Sequence, residues 1–320
     1  MSPRYTFSPG FVALLDELDV SLAISTHQSG VLYLVGRDAA GAHIEKVRLP
    51  SPTGLFVEGP GHLALATGAH IVRLRDAGDC YLPDSLVAAE GLDIHDLAID
   101  LEGRPIFVST RCNCLATISP ERGFELIWKP PFVTTWRAGD KCHVNGLAMV
   151  GGRAAYVTLW SRHDRFDAWR EHYGEGGLLM DARNEAVVLG DLCLPHSPRC
   201  HGGELWLLNS GTGELGIVEG LGGSAPRFVP RAFFAGFPRG LALHGDHAFV
   251  GVSRPRPDRL ERLPHPERFQ NVDLEPGVSV RIIELTSGSC VEWMRVEGEV
   301  AEIYDLAVLP GVRRPMARAG

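Results

Sequence analysis

Three histidines, His95, His143 and His196, recur about fifty residues apart, each close to the start of a short apolar run. Neutral imidazole binds transition metals, and three imidazoles on one ion leave a position open for water or a carbonyl oxygen. A divalent transition metal held by His95, His143 and His196 is one chemistry this spacing offers. General acid–base catalysis by the same rings is the other. Asp96 directly follows His95, and Asp305 directly follows Tyr304, so both carboxylates stand where they could orient an imidazole. Arg239, in "GFPRGLAL", offers a guanidinium fork for the anionic group of a substrate. His95, His143, His196, Arg239, Asp96, Tyr304 and Asp305 are therefore the catalytic candidates. The structural alternative is that these side chains hydrogen-bond the ends of neighbouring strands around a solvated channel.

What must position them is a repeat. The segments "PTGLFVEGPGHLALATG" (52–68), "HDLAIDLEGRPIFVST" (95–110), "NGLAMVGGRAAYVTLW" (145–160) and "RGLALHGDHAFVGVS" (239–253) share one plan. Each is an apolar strand, a Gly-containing turn and a second apolar strand. Further strand-like runs follow, as in "CLATISP" and then "GFELIWKPP". Four short antiparallel strands repeated every ~40–50 residues are the pattern of β-propeller blades. Six blades are expected, opening near 52, 95, 145, 196, 239 and 304. The last holds a lone strand, "YDLAVLPG" (304–311), whose missing partners lie in "SLAISTHQSGVLYLVGRD" (21–38). The expectation is an all-β, six-bladed β-propeller closed by N-terminal strands pairing with the C-terminal strand, which removes an open edge. A β-sandwich explains neither the spacing nor the orphan strand.

The domain reading is a single propeller over 1–320 with a helical lead-in within 1–20. Long loops at 160–177 and 253–277 should open on one face, the first carrying a helix with Trp169 and Tyr173. First strands line a propeller's channel, which places Thr53, His95, Asn145, His196, Arg239 and Tyr304 at its mouth. Loops on that face add His27, Arg111, Trp160, Asn209 and Arg254, which with Asn145 are the ligand-binding candidates.

Composition narrows the partners. A net charge of −8 and a pI near 5.9 argue against nucleic acid and anionic membrane surfaces, leaving a small-molecule or peptide substrate. The N-terminal stretch has no long apolar core and no run approaches the ~20 apolar residues of a membrane helix. Seven cysteines without a disulfide framework suggest a reduced, cytoplasmic protein. Cys112 and Cys142 are soft-ligand candidates that read more simply as small buried hydrophobes, and "CNC" is too tight for a zinc knuckle. No nucleophile elbow, H-E-x-x-H, Walker loop or dinucleotide fingerprint occurs, so no motif assigns a reaction. The functional expectation is an enzyme acting on a small molecule or peptide side chain at the channel mouth. Its alternative is a non-catalytic propeller binding a ligand or protein partner through the same face.

The segments "DIHDLAID", "TRCNCLATISP", "CHVNGLAMV", "LPHSPRCHGGELWLLNSGTGEL", "GFPRGLALHGDHAFVGVSRPR" and "EIYDLAVLPGVRRP" carry a resemblance over nearly the whole chain. They resemble an uncharacterised bacterial family of the conserved-hypothetical kind. The resemblance implies a six-bladed propeller, loosely akin to the NHL, YWTD and gluconolactonase-like groups, and implies no reaction. Gluconolactonase-like propellers hold a divalent metal through Glu, Asn and Asp. The matching column here carries His, Asn and Arg, so neither that metal nor lactone hydrolysis carries over.

Overall fold

The computed structural model describes residues 4–78, 80–119, 121–136, 138–254, 257–270, 278–298 and 300–318. Its strands form six sheets of four neighbouring strands, two of them with a fifth added at the edge and one that joins a C-terminal strand to three N-terminal ones, and the fold is the expected six-bladed β-propeller. The first strands open at Leu55, Ile94, Val144, Pro195, Phe237 and Asp305, within three residues of the expected starts. Two compact units divide the chain. The first comprises Met1–Glu90, Arg239–Arg254 and Gly277–Gly320, and the second Gly91–Pro238 and Pro255–Pro276.

In the first unit, Val20–Thr26 pairs antiparallel with Asp305–Pro310, in a register that sets Leu22 opposite Val308 and Ala23 opposite Ala307. The other edge of Val20–Thr26 pairs with Val31–Asp38, so both chain ends share one sheet as predicted. Two further pairings were not foreseen. Arg4–Phe7 adds antiparallel to Cys290–Glu297, and Met316–Ala317 lies parallel to the strand Cys80–Ala88. Each chain end therefore also covers the edge of a second sheet.

Burial explains the strand composition. Val20–Thr26 is buried at every position and Val31–Asp38 at all but the last, so both strands are mainly apolar. The buried Ser21, Ser25, Thr26 and Arg37 donate to backbone carbonyls. Outer strands such as Arg227–Phe233 and Gly123–Trp128 are largely exposed and carry the charges. The lead-in helix, Phe11–Glu17, sinks Phe11 and Leu15 fully into a cluster with Leu22, Phe249 and Met294. That i, i+4 pair lies on one helix face and contributes about 1.5–3 kcal/mol per side chain.

The long loops depart from expectation. The segment 163–173 holds only one 3-10 turn, Ala168–Arg170, because Asp167 before it is left-handed at φ 56° and stops a helix from extending backwards. The loop at 253–277 contains two short helices, Pro257–Leu260 and Glu267–Gln270, and its remainder at 255–256 and 271–277 lies outside the described residues. Among the described residues no helix is long and apolar enough to cross a membrane.

Candidate functional site

The approach to the first strand is built alike in four sheets. Ser51, Asp93, His143 and Leu194 are all left-handed, with φ of 49°, 49°, 54° and 49°. They precede Thr53, His95, Asn145 and His196 by two residues, so His143 is the counterpart of Asp93 and not of His95. A side chain in this backbone region costs about 1–3 kcal/mol, which the surroundings must offset.

Around His143 the second unit gathers aromatic rings. The imidazole lies 3.8 Å from the Trp160 ring at 34° and 4.6 Å from Trp169. His95 meets it edge to face at 5.0 Å and 88°. Trp160 also contacts Tyr173 at 5.8 Å and His196 at 5.5 Å, and His196 in turn meets Phe237. The sequence candidates His95, His143, His196 and Trp160 are thus neighbours.

Their ring nitrogens are committed differently. His143 Nδ1 lies 2.6 Å from Asp140 Oδ2, while the backbone N–H of His143 donates to Asp140 Oδ1 at 2.9 Å. His196 Nδ1 lies 2.9 Å from both the Leu194 carbonyl and Ser210 Oγ, and this ring is buried. His95 Nδ1 lies 3.3 Å from the Asp93 carbonyl. Among the described residues no group of three His, Cys, Asp or Glu side chains is placed to hold a metal ion. Burial pushes the Cys142 thiol well above its usual range and the Cys193 thiol up to about 12, which fits inert small hydrophobes.

Asp140 is the residue sequence reasoning missed, and a clamp holds it. Buried Asn113 donates from Nδ2 to the Gly139 carbonyl at 2.8 Å and accepts the Lys141 backbone N–H at Oδ1, also 2.8 Å. Lys141 Nζ reaches Asp164 Oδ1 at 2.6 Å, and Asp164 accepts the Thr134 backbone N–H. Burial raises the Asp164 carboxyl, but Lys141 and Thr134 outweigh it and bring it to about 2. The Trp160 backbone N–H closes back on the Cys142 carbonyl at 3.0 Å.

Other candidates join one sheet to the next. Asp96 accepts the N–H of Leu147 in the following first strand at 2.9 Å and pairs with Arg199 at 2.8 Å. Asp305 accepts the Leu55 N–H at 2.8 Å. Asn145 donates to the Pro195 carbonyl at 3.0 Å and accepts from Thr158, while Asn209 accepts the Cys193 N–H. In the first unit, Arg239 lies 3.5 Å over the Tyr304 ring and His27 packs 5.4 Å from that ring. Arg111 and Arg254 are exposed.

Six sheets define a six-bladed β-propeller whose second unit holds a tight imidazole–carboxylate pair, His143 with Asp140 at 2.6 Å. Over residues 9–318 the sequence matches the family described as Domain of unknown function (DUF4915), and the chain belongs to that family. A solved structure from a nidogen/laminin complex is similar over 91% of this chain and 99% of its own, with TM-score 0.59 and 9% identity. A protein of unknown function from Bacteroides caccae is similar over 91% and 98%, with TM-score 0.55 and 10% identity. A streptogramin B lyase is similar over 80% and 86%, with TM-score 0.44 and 13% identity. At these identities the likeness reaches the fold alone. No functionally curated protein matches the sequence.

Proposed function

We propose that this protein is an enzyme acting on a small molecule or peptide side chain, with His143 as its acid–base group. The carrying observation is the 2.6 Å contact of His143 Nδ1 with Asp140. A carboxylate only accepts, so Nδ1 bears a hydrogen, and in the neutral ring Nε2 then carries the lone pair. That is the division of labour of a general base whose tautomer is held by an acid. Both side chains reach solvent, at 12% and 16% exposure, so a proton on a bound molecule is within reach. The left-handed backbone at His143 and the Asn113 clamp preorganise the pair, as strained functional positions often are. Trp160 and Trp169 are buried and pack against His143, which leaves the partly exposed edges of His143 and His95 as the surface for a ligand.

A metal on His95, His143 and His196 forms no part of this reading, because among the described residues no three such donors are placed to hold an ion. The density of rings around Trp160 favours a second reading, a non-catalytic site that binds a ligand through the same surface. The two part on reactivity. Diethyl pyrocarbonate at pH 7, with peptide mapping by mass spectrometry, should acylate His143 at Nε2 in the native protein and do so several-fold more slowly in Asp140→Asn. A His143 that is protected until the protein unfolds, or one indifferent to Asp140, would remove the acid–base assignment.

A further inference from the structure

A guanidinium that is partly withdrawn from water ordinarily finds an acceptor. Arg239 is half-buried, and among the described residues its charged contact is the face of buried Tyr304, 3.5 Å below the guanidinium carbon. A cation held by a ring face keeps its five N–H donors for another partner. His27 stands on the same ring, 5.4 Å from its centroid at 44°, and its Nδ1 is buried without a hydrogen-bond partner among the described residues.

The backbone explains how these groups meet. Gly240 is left-handed at φ +80°, and a Cβ there would stand 2.9 Å from the Asp305 Cα. Residues 240 and 305 therefore touch backbone to backbone, which brings their neighbours Arg239 and Tyr304 face to face. The Tyr304 N–H donates to the Ser25 carbonyl at 2.8 Å, tying the ring to the strand that leads into His27. All three side chains belong to the first unit.

We propose that Arg239 and His27, both packed on Tyr304, form a receptor for the oxyanion of a small ligand, a carboxylate or a phosphate. A guanidinium edge matches two oxygens of either group with parallel hydrogen bonds, and Nε2 of His27, not the buried Nδ1, is the ring nitrogen left to add a third donor. Tyr304 holds the fork in place, so little side-chain freedom is lost on binding. This site stands whether or not His143 is an acid–base group.

Isothermal titration of the full-length protein with inorganic phosphate, and separately with acetate, decides it at pH 7.5 and constant ionic strength. At least one anion should bind saturably. Phosphate alone identifies a phosphate-bearing ligand, and acetate alone a carboxylate. Arg239→Gln should weaken binding by about tenfold or more, and His27→Ala several-fold. Arg239→Lys keeps the charge without the fork and should also bind several-fold more weakly. It carries the test if the glutamine variant does not fold. Saturable binding of neither anion, or equal affinity in the Arg239 variants, would overturn the proposal.

Discussion

At the scale of single residues, a polar side chain near a first strand either joins sheets or faces solvent with a nitrogen to spare. Asp96 joins sheets. Its carboxylate accepts the N–H groups of Leu97 and Leu147 and pairs with Arg199 at 4% residue exposure. Asp96→Ala would strand a buried N–H and a partly buried guanidinium, so urea unfolding should show a loss of about 2–4 kcal/mol. A loss below about 1 kcal/mol would return Asp96 to the catalytic candidates. This role was legible in outline, because "TGL", "HDL", "NGL", "RGL" and "YDL" repeat one frame, with Gly or Asp before Leu. Each Asp of that frame reaches the Leu N–H of a glycine-bearing copy, Leu147 or Leu55. Asp140 was not legible. It sits in "RAGDKCH", a stretch without period, and only the spacing of three to His143 hinted at the pair. Arg199 was hidden for another reason: a register shift between His196 and Arg199 sets its direction, and no alternation rule anticipates a bulge.

At the scale of elements, the loop 160–177 carries two titrations in separate pH windows. His163 and His172 stack at 4.5 Å and 10°. Burial, then the charge of His172, lowers the His163 pKa below its usual 6.5. The folded loop thus binds fewer protons than the unfolded one, and its stability falls as pH drops below about 6.5. Asp164 has the same sign in a lower pH window. With its carboxyl held at about 2, it contributes stability above 3.8 that is lost only as pH falls towards 2. Hydrogen exchange between pH 7.5 and 5, corrected for intrinsic rates, should therefore quicken at 165–175 while 134–141 stays protected. Equal behaviour of the two segments would contradict this. A second element-scale test is Gly240→Ala. Its left-handed φ and the Asp305 backbone at 2.9 Å leave no room for a methyl, so a loss of about 2–3 kcal/mol and a weakened Arg239–Tyr304 stack are expected in denaturant melts and anion titrations. Full stability would mean that the two strands can part at no cost. The helix expected at 163–173 failed because apolar spacing cannot register a left-handed Asp167.

At the scale of the whole molecule, most of the architecture was readable because first and second strands recur as apolar pairs about a Gly turn. The orphan strand near 304 pointed to its partners at 21–36. The edge strands Arg4–Phe7 and Met316–Ala317 were not readable, being too short to show a period. Their presence strengthens an expected outcome. Deleting 300–320 removes both Asp305–Pro310 and Met316–Ala317, exposes the Val20–Thr26 edge, and should unfold the protein cooperatively. Unchanged thermal melting of the truncated chain would show that the shared sheet contributes nothing.

The central claim is that the protein turns a small molecule over with His143. Its most direct test incubates the full-length protein with a bacterial small-molecule extract and follows the extract by mass spectrometry. Wild type should deplete at least one compound and form a new mass, and His143→Gln, verified as folded, should do neither. Identical traces for wild type and no protein, or turnover undiminished in His143→Gln, would contradict the account.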